Sequence, residues 1–206
     1  MEQRHEDGQI RSDRVGMTME SPMNVCVLIG SLRKASFNRM LANALMSLAP
    51  SSMKLEGVEI GQYDQDLDTD PPLTEWTAFR QRVKAADAVL FVTPEYNRSM
   101  PAVLKNALDV GSRPYGSSVW DRRPGANVSG TPGAIGAFGA NHHLRQSLVF
   151  LNVPTMQQPE AYIGHVDKLF EEHGKLTSDG TRKFLQEFMQ AFADWVETIR
   201  SHDQRI

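Results

Sequence analysis

Val25-Cys-Val-Leu-Ile-Gly-Ser-Leu-Arg-Lys-Ala-Ser-Phe-Asn38 is the stretch that decides the fold. It begins with a continuous apolar run, rich in β-branched side chains and closed by Gly30. Such runs suit strands buried on both faces of a parallel sheet. Ser36 stands at a helix N-cap position. Behind it Phe37, Met40, Leu41, Ala44, Leu45 and Leu48 recur at i, i+3, i+4, i+7, i+8 and i+11. That spacing is one face of an amphipathic helix, which Pro50 ends.

Outward from this unit the same alternation continues. A second strand is expected around residues 54–60, followed by a polar segment, Gly61–Pro72, too acidic and Pro-rich for regular structure. Trp76, Phe79, Val83 and Ala86 mark a second helix, and Ala88-Val-Leu-Phe-Val92 a third strand as clear as the first. Pro101 opens the next helix, where its missing N–H costs nothing. Its inner face is Val103, Leu104, Ala107 and Leu108. A short fourth strand is expected near Ala126–Gly130, a helix around Asn141–Leu151 and a fifth strand near Val153–Gln157. Phe184, Leu185, Phe188, Met189, Phe192, Trp195, Val196 and Ile199 form the stripe of a last helix. Five strands alternating with helices predict an α/β domain with a parallel sheet and right-handed crossovers.

The 206 residues suffice for one such domain, placed at 23–201 between a disordered tail at 1–22 and a short one at 202–206. A net charge of −3 argues against a broad basic face, hence against nucleic acid or anionic lipid as partner. No stretch has the roughly 18 consecutive apolar residues of a membrane span. The N-terminal residues lack the apolar core of a secretion signal, so the expected location is the cytoplasm. Cys26 is the only cysteine, within an apolar run, and reads as a buried small hydrophobe. The six histidines form no recognisable metal signature, so no metal site is expected. Asp64–Asp70 reads as a solvated acidic loop.

In an open α/β sheet, ligands bind beyond the carboxyl ends of the strands, where strand order reverses. Three loops there are unusual. Gly30–Asn38 leads into a helix N-terminus, whose free N–H groups and dipole favour an anion. Ser31, Ser36 and Asn38 add neutral donors, and Arg33 can give a forked contact to phosphate. The loop is neither a GxxxxGK[ST] nor a GxGxxG motif, so a terminal monophosphate matches best. The alternative is a polar turn with a capping serine and a solvated arginine. Thr93-Pro-Glu-Tyr-Asn-Arg-Ser-Met-Pro101 is stiffened by its prolines. It either presents Tyr96 and Asn97 to a flat ring or is a rigid connector. Gly130-Thr-Pro-Gly-Ala-Ile-Gly-Ala-Phe-Gly139 is glycine-rich, as close backbone approach to a ligand requires or as a mobile loop would be. Together the three loops suit a planar heteroaromatic ring with a phosphate tail.

Three segments, Gly30–Asn38, Pro94-Glu-Tyr-Asn97 with Leu104-Lys-Asn-Ala-Leu-Asp109, and Pro132-Gly-Ala-Ile-Gly136, resemble the NAD(P)H-dependent FMN reductase family, in its bacterial chromate and quinone reductase branch. The resemblance spans about residues 24–200. It implies a flavodoxin-like, doubly wound five-stranded parallel sheet of order 2-1-3-4-5, with helices on both faces. It also implies bound FMN, with NADPH or NADH as co-substrate, and a homodimer or homotetramer. Carried over by motif, Ser31, Arg33, Ser36, Phe37 and Asn38 hold the FMN phosphate region. Pro94, Glu95, Tyr96, Asn97 and Arg98 border the isoalloxazine, and Thr131, Gly133 and Gly136 lie on its other side. Two departures stand out: the fourth strand is unusually polar, and Ala137 replaces the second glycine of a common Gly-Gly pair.

The activity so implied is ping-pong reduction of quinones, and less specifically of chromate, with the flavin carrying the chemistry and no catalytic side chain required. The rivals are a non-catalytic flavodoxin-like electron carrier, a flavin-poor binding protein of the same fold, and an azo-compound reductase. Arg98 either steers an anion or is a solvated loop arginine.

Overall fold

The computed structural model describes residues 21–33, 35–60, 62–70, 72–171 and 174–203. The opening apolar run becomes β1 (Met23–Ile29), and its amphipathic partner α1 (Phe37–Leu48). There follow β2 (Met53–Val58), α2 (Thr74–Ala85), β3 (Ala88–Thr93), α3 (Ala102–Gly111) and β4 (Gly125–Gly130). The chain ends with α4 (Phe138–Phe150), β5 (Ala161–Ile163) and α5 (Asp179–Asp203). All strand pairs are parallel and the order is β2-β1-β3-β4-β5, as the flavodoxin-like fold requires. Most of the expected N-terminal tail, residues 1–20, lies outside the described residues, whereas α5 runs past the expected boundary at 201.

The period of two along each strand sorts side chains between two cores. Val25 and Val27 of β1 with Leu90 and Val92 of β3 pack under Leu41 and Leu45 of α1 and Phe188 and Phe192 of α5. Cys26, Leu28, Val89 and Phe91 face the other way, onto Trp76 and Phe79 of α2, Leu108 of α3 and Leu144 of α4. Burial raises the Cys26 thiol from 9.0 to about 11, so it stays protonated and acts as the apolar filler its setting suggested. The polarity of β4 obeys the same alternation. Ala126 and Val128 join the α1–α5 core, leaving the polar Asn127 and Ser129 on the opposite face. The strand is fully buried and as long as β3.

Two expectations need correction. Val153–Gln157 is not the fifth strand. Its backbone hydrogen bonds to the sheet edge are Gly125 N–H to Pro154 O and Met156 N–H to Gly125 O. Pro154 brings no donor, and regular pairing resumes only where Ala161–Ile163 meets Val128–Gly130. The acidic segment is not simply solvated either. It makes a 3₁₀ turn at Gln65–Leu67, beyond which Asp68 forms a two-pronged ion pair with Arg80 of α2, at 2.8 and 3.0 Å. Both side chains are about 10% exposed, and Arg80 Nε also donates to Val110 O at 2.9 Å. The pair ties this loop to α2 and the end of α3. We expect Asp68→Asn to lower the unfolding free energy by about 2–3 kcal/mol, because it leaves a buried guanidinium without its charge partner. Urea denaturation measures this, and an unchanged midpoint would mean the pair adds nothing.

Candidate functional site

The sheet places the ends of β1 and β3 side by side where strand order reverses, and the three loops meet there. Gly30 N–H donates to Val92 O at 2.8 Å. A Cβ at Gly30 would lie 2.9 Å from Thr93 Oγ1, so only glycine lets the first two loops approach this closely. Asn38 Nδ2 reaches from α1 to Gly130 O at 3.0 Å, joining the first loop to the third. Ser31, Ser36 and Asn38 are all buried, while Arg33 is exposed at the rim and Phe37 is half-buried against the α1–α5 core. The Ser36 side chain does not cap α1, and its first turn holds no acidic residue. The positive end of this helix therefore faces the loop without an internal anion. Asn38 Oδ1 is buried and has no donor among the described residues.

The second loop is a tight hairpin. Tyr96 and Ser99 exchange both backbone hydrogen bonds at 3.0 Å, with Asn97 and Arg98 at φ 51° and 63°. Two positive φ values in a two-residue turn define type I′. Tyr96 is exposed on it. Arg98 Nη1 pairs with Glu95 Oε1 at 3.3 Å, its own side chain being 77% exposed. The other Glu95 oxygen, Oε2, accepts from Ala140 N–H in the first turn of α4 at 3.1 Å. Ala137, at the N-cap of α4, has no side chain to do this, so Glu95 caps the helix from another loop.

The third loop is seated from below. Thr131 N–H donates to Ile163 O, and Val166 and His165 N–H return to Thr131 O and Gly133 O. A Cβ on Gly136, at φ +60°, would stand 2.4 Å from the Tyr162 carbonyl carbon. Gly164 is pressed as closely on Ala134 O. The turn Gly164–Val166 was not anticipated from sequence; its only signal is a glycine one residue beyond β5. Beside the loop, Phe138, His142 and Tyr162 form an aromatic cluster with centroids 4.1–6.0 Å apart. Tyr162 OH donates to Glu160 at 2.7 Å and faces His142 Nε2 at 3.0 Å. Burial, then the bond to Glu160, pushes the phenol up to about 12. His143 bonds instead to Ser99 Oγ at 2.7 Å.

A helix end open to an anion, a turn presenting an aromatic ring and a glycine loop pinned opposite are the features of a nucleotide-like cofactor site. Residues 23–168 match the model of the family described as NADPH-dependent FMN reductase. The chain belongs to that family. It is 56% identical over 186 residues to a quinone reductase of Pseudomonas putida, covering 89% of this chain and all of that protein. It is 49% identical over 181 residues to a 2-hydroxy-1,4-benzoquinone reductase of a Burkholderia species, covering 86% of this chain and 98% of that one. Among solved structures, the flavoenzyme NAD(P)H:(acceptor) oxidoreductase FerB from Paracoccus denitrificans superposes with a TM-score of 0.79 at 38% identity. The match covers 85% of this chain and 98% of that one. FMN and NAD(P)H are the cofactor and co-substrate that membership in the family implies.

The loop geometry separates two glycines of one motif. Gly136→Ala should destabilise the fold by about 3 kcal/mol or more, because its methyl meets backbone atoms at a left-handed position. Gly133→Ala, with its nearest neighbour 3.8 Å away, should cost less than about 1 kcal/mol. Thermal melts of the two variants check this, and equal shifts would contradict it.

Proposed function

We propose that this family member reduces quinones with NAD(P)H through an FMN held at the three loops. The observation that carries the reading is the 56% identity over 186 residues to a quinone reductase, which the match covers in full. The residues present fit the cofactor. The open end of α1 with Ser31, Ser36, Asn38 and Arg33 suits a phosphate. The unpartnered Asn38 Oδ1 suits a hydroxyl of the ribityl chain. Phe37 supports this loop from the core side. Pro94, Glu95, Tyr96, Asn97 and Arg98 border the ring, and Thr131, Gly133 and Gly136 close its other side.

When bound, FMN supplies two-electron transfer in two half-reactions, with the sum NAD(P)H + H⁺ + quinone → NAD(P)⁺ + hydroquinone. The protein's part is to hold and orient. Glu95 is committed to α4 and Arg98, so it positions the hairpin rather than serving as a proton carrier. Chromate and azo compounds are secondary oxidants in this reading. The cytoplasm is the compartment proposed with it. Purified protein should show flavin absorption that NADPH bleaches without oxygen and benzoquinone restores. Bands that persist with NADPH would point to the electron carrier, and no flavin uptake would remove the reading.

A homodimer or homotetramer belongs to the same proposal. Val149 and Phe150, consecutive on α4, are 77% and 89% exposed, two apolar side chains that a second copy would cover. Light scattering should report two or four chains, with Phe150→Asp shifting the assembly toward smaller species. A wild-type monomer would overturn this.

A further inference from the structure

Beneath the third loop runs a line of polar side chains whose proton directions follow from chemistry. Arg145 Nε donates to Asn141 Oδ1 at 3.1 Å, and its Nη1 to Met156 O at 3.2 Å. A guanidinium cannot accept, so the Asn141 oxygen faces it and the Asn141 amide must point onward. Asn141 Nδ2 donates to Ser129 Oγ at 3.1 Å. The Ser129 proton is thereby free for Gly136 O, which it reaches at 2.7 Å, with Ala161 O farther off at 3.4 Å. Asn141 and Ser129 are completely buried, and Arg145 is half-buried. Every link runs the same way from a cation, so the bonds polarise one another in a region of low dielectric.

The receiving end is the strained part of the site. Gly136 and Ala137 are consecutive left-handed residues, at φ 60° and 61°. For alanine that conformation costs about 1 kcal/mol, so it persists only if the surroundings enforce it. Ser129 is well placed to enforce it. It belongs to β4, held between Thr93 of β3 and Tyr162 of β5.

We propose that Arg145, Asn141 and Ser129 are positioning residues that lock the Gly136–Ala137 turn and so set how tightly the cofactor ring is held. This rests on the reading that the third loop faces the flavin. The polar β4 is then the source of the lock: Ser129 is the side chain that binds the loop to the sheet.

The test compares wild type, Ser129→Ala, Ser129→Thr and Asn141→Ala. In the apoprotein, amide hydrogen exchange at residues 136–138 should be about tenfold faster in S129A and N141A. Their FMN dissociation constants should rise about tenfold, with a changed visible circular dichroism of the bound flavin. S129T, which keeps the hydroxyl, should restore both. The double variant S129A/N141A should lose no more than either single one, because the links act as a unit. If S129A merely melts earlier while loop exchange and flavin affinity match wild type, the proposal is overturned and the FMN reading stands. If wild type itself takes up no FMN, both fall.

Discussion

One buried contact organises the ligand end of the molecule: the Asn38 amide of α1 donating to the last carbonyl of β4, at Gly130. It spans two strands of the sheet, because β3 lies between β1 and β4. It therefore fixes the first loop relative to the third. Gly130 accommodates it at close range, since a Cβ there would stand 3.0 Å from Leu41 and 3.5 Å from Asn38 Oδ1. Tilting α1 would break this bond and disturb the Leu41–Leu45 packing on the sheet together. The first and third loops are thus tied to each other through α1 and β4, which is the pre-organisation the proposed cofactor site needs.

How much of this was legible in sequence depends on the range of the forces involved. β1, β3 and α5 were readable because burial on a regular element leaves a local period in the residues themselves. β5 was misplaced because its neighbourhood is one of single contacts around Pro154 and Pro159. Only the register with β4 decides where pairing resumes. Arg80 stands between Phe79 and Val83 on α2, and nothing local in the sequence reveals that it meets Asp68. Glu95 was singled out with its loop, but its service as cap to α4 depends on Ala137, far along the chain, lacking a polar side chain. The motif identified the loops, and tertiary contacts assigned their duties.

The two departures from the family's pattern meet at one point. A β4 with serine at 129 brings a hydroxyl under the loop, and alanine at 137 makes the turn above it costly. Glycine at 137 would have made the left-handed turn easy without a restraint. With alanine the chain needs one, and the Ser129–Gly136 bond supplies it. Asn127, on the same face of β4, is the exception. Its amide is buried with no partner among the described residues, and the structure gives no physical account of it.

The contrast between two helix starts shows where stability has been left incomplete. α4 begins at a residue that cannot cap, and Glu95 supplies an anion from another loop. α1 begins at a serine that can cap, yet the hydroxyl is not used for it and no acid occupies the first turn. An absent cap costs about 1 kcal/mol, and a buried acceptor without a donor, such as Asn38 Oδ1, about 1–3 kcal/mol more. α3 also starts without a side-chain cap or a first-turn acid, so an open helix end singles out no ligand by itself. What sets α1 apart, where strand order reverses, is the buried acceptor Asn38 Oδ1, which the proposed cofactor would meet with a donor hydroxyl beside its phosphate. Binding there at a hundredfold excess over Kd adds about 2.7 kcal/mol to the folded state, comparable to what the open end forgoes. Cofactor retention and fold stability are for this reason two readings of one interaction.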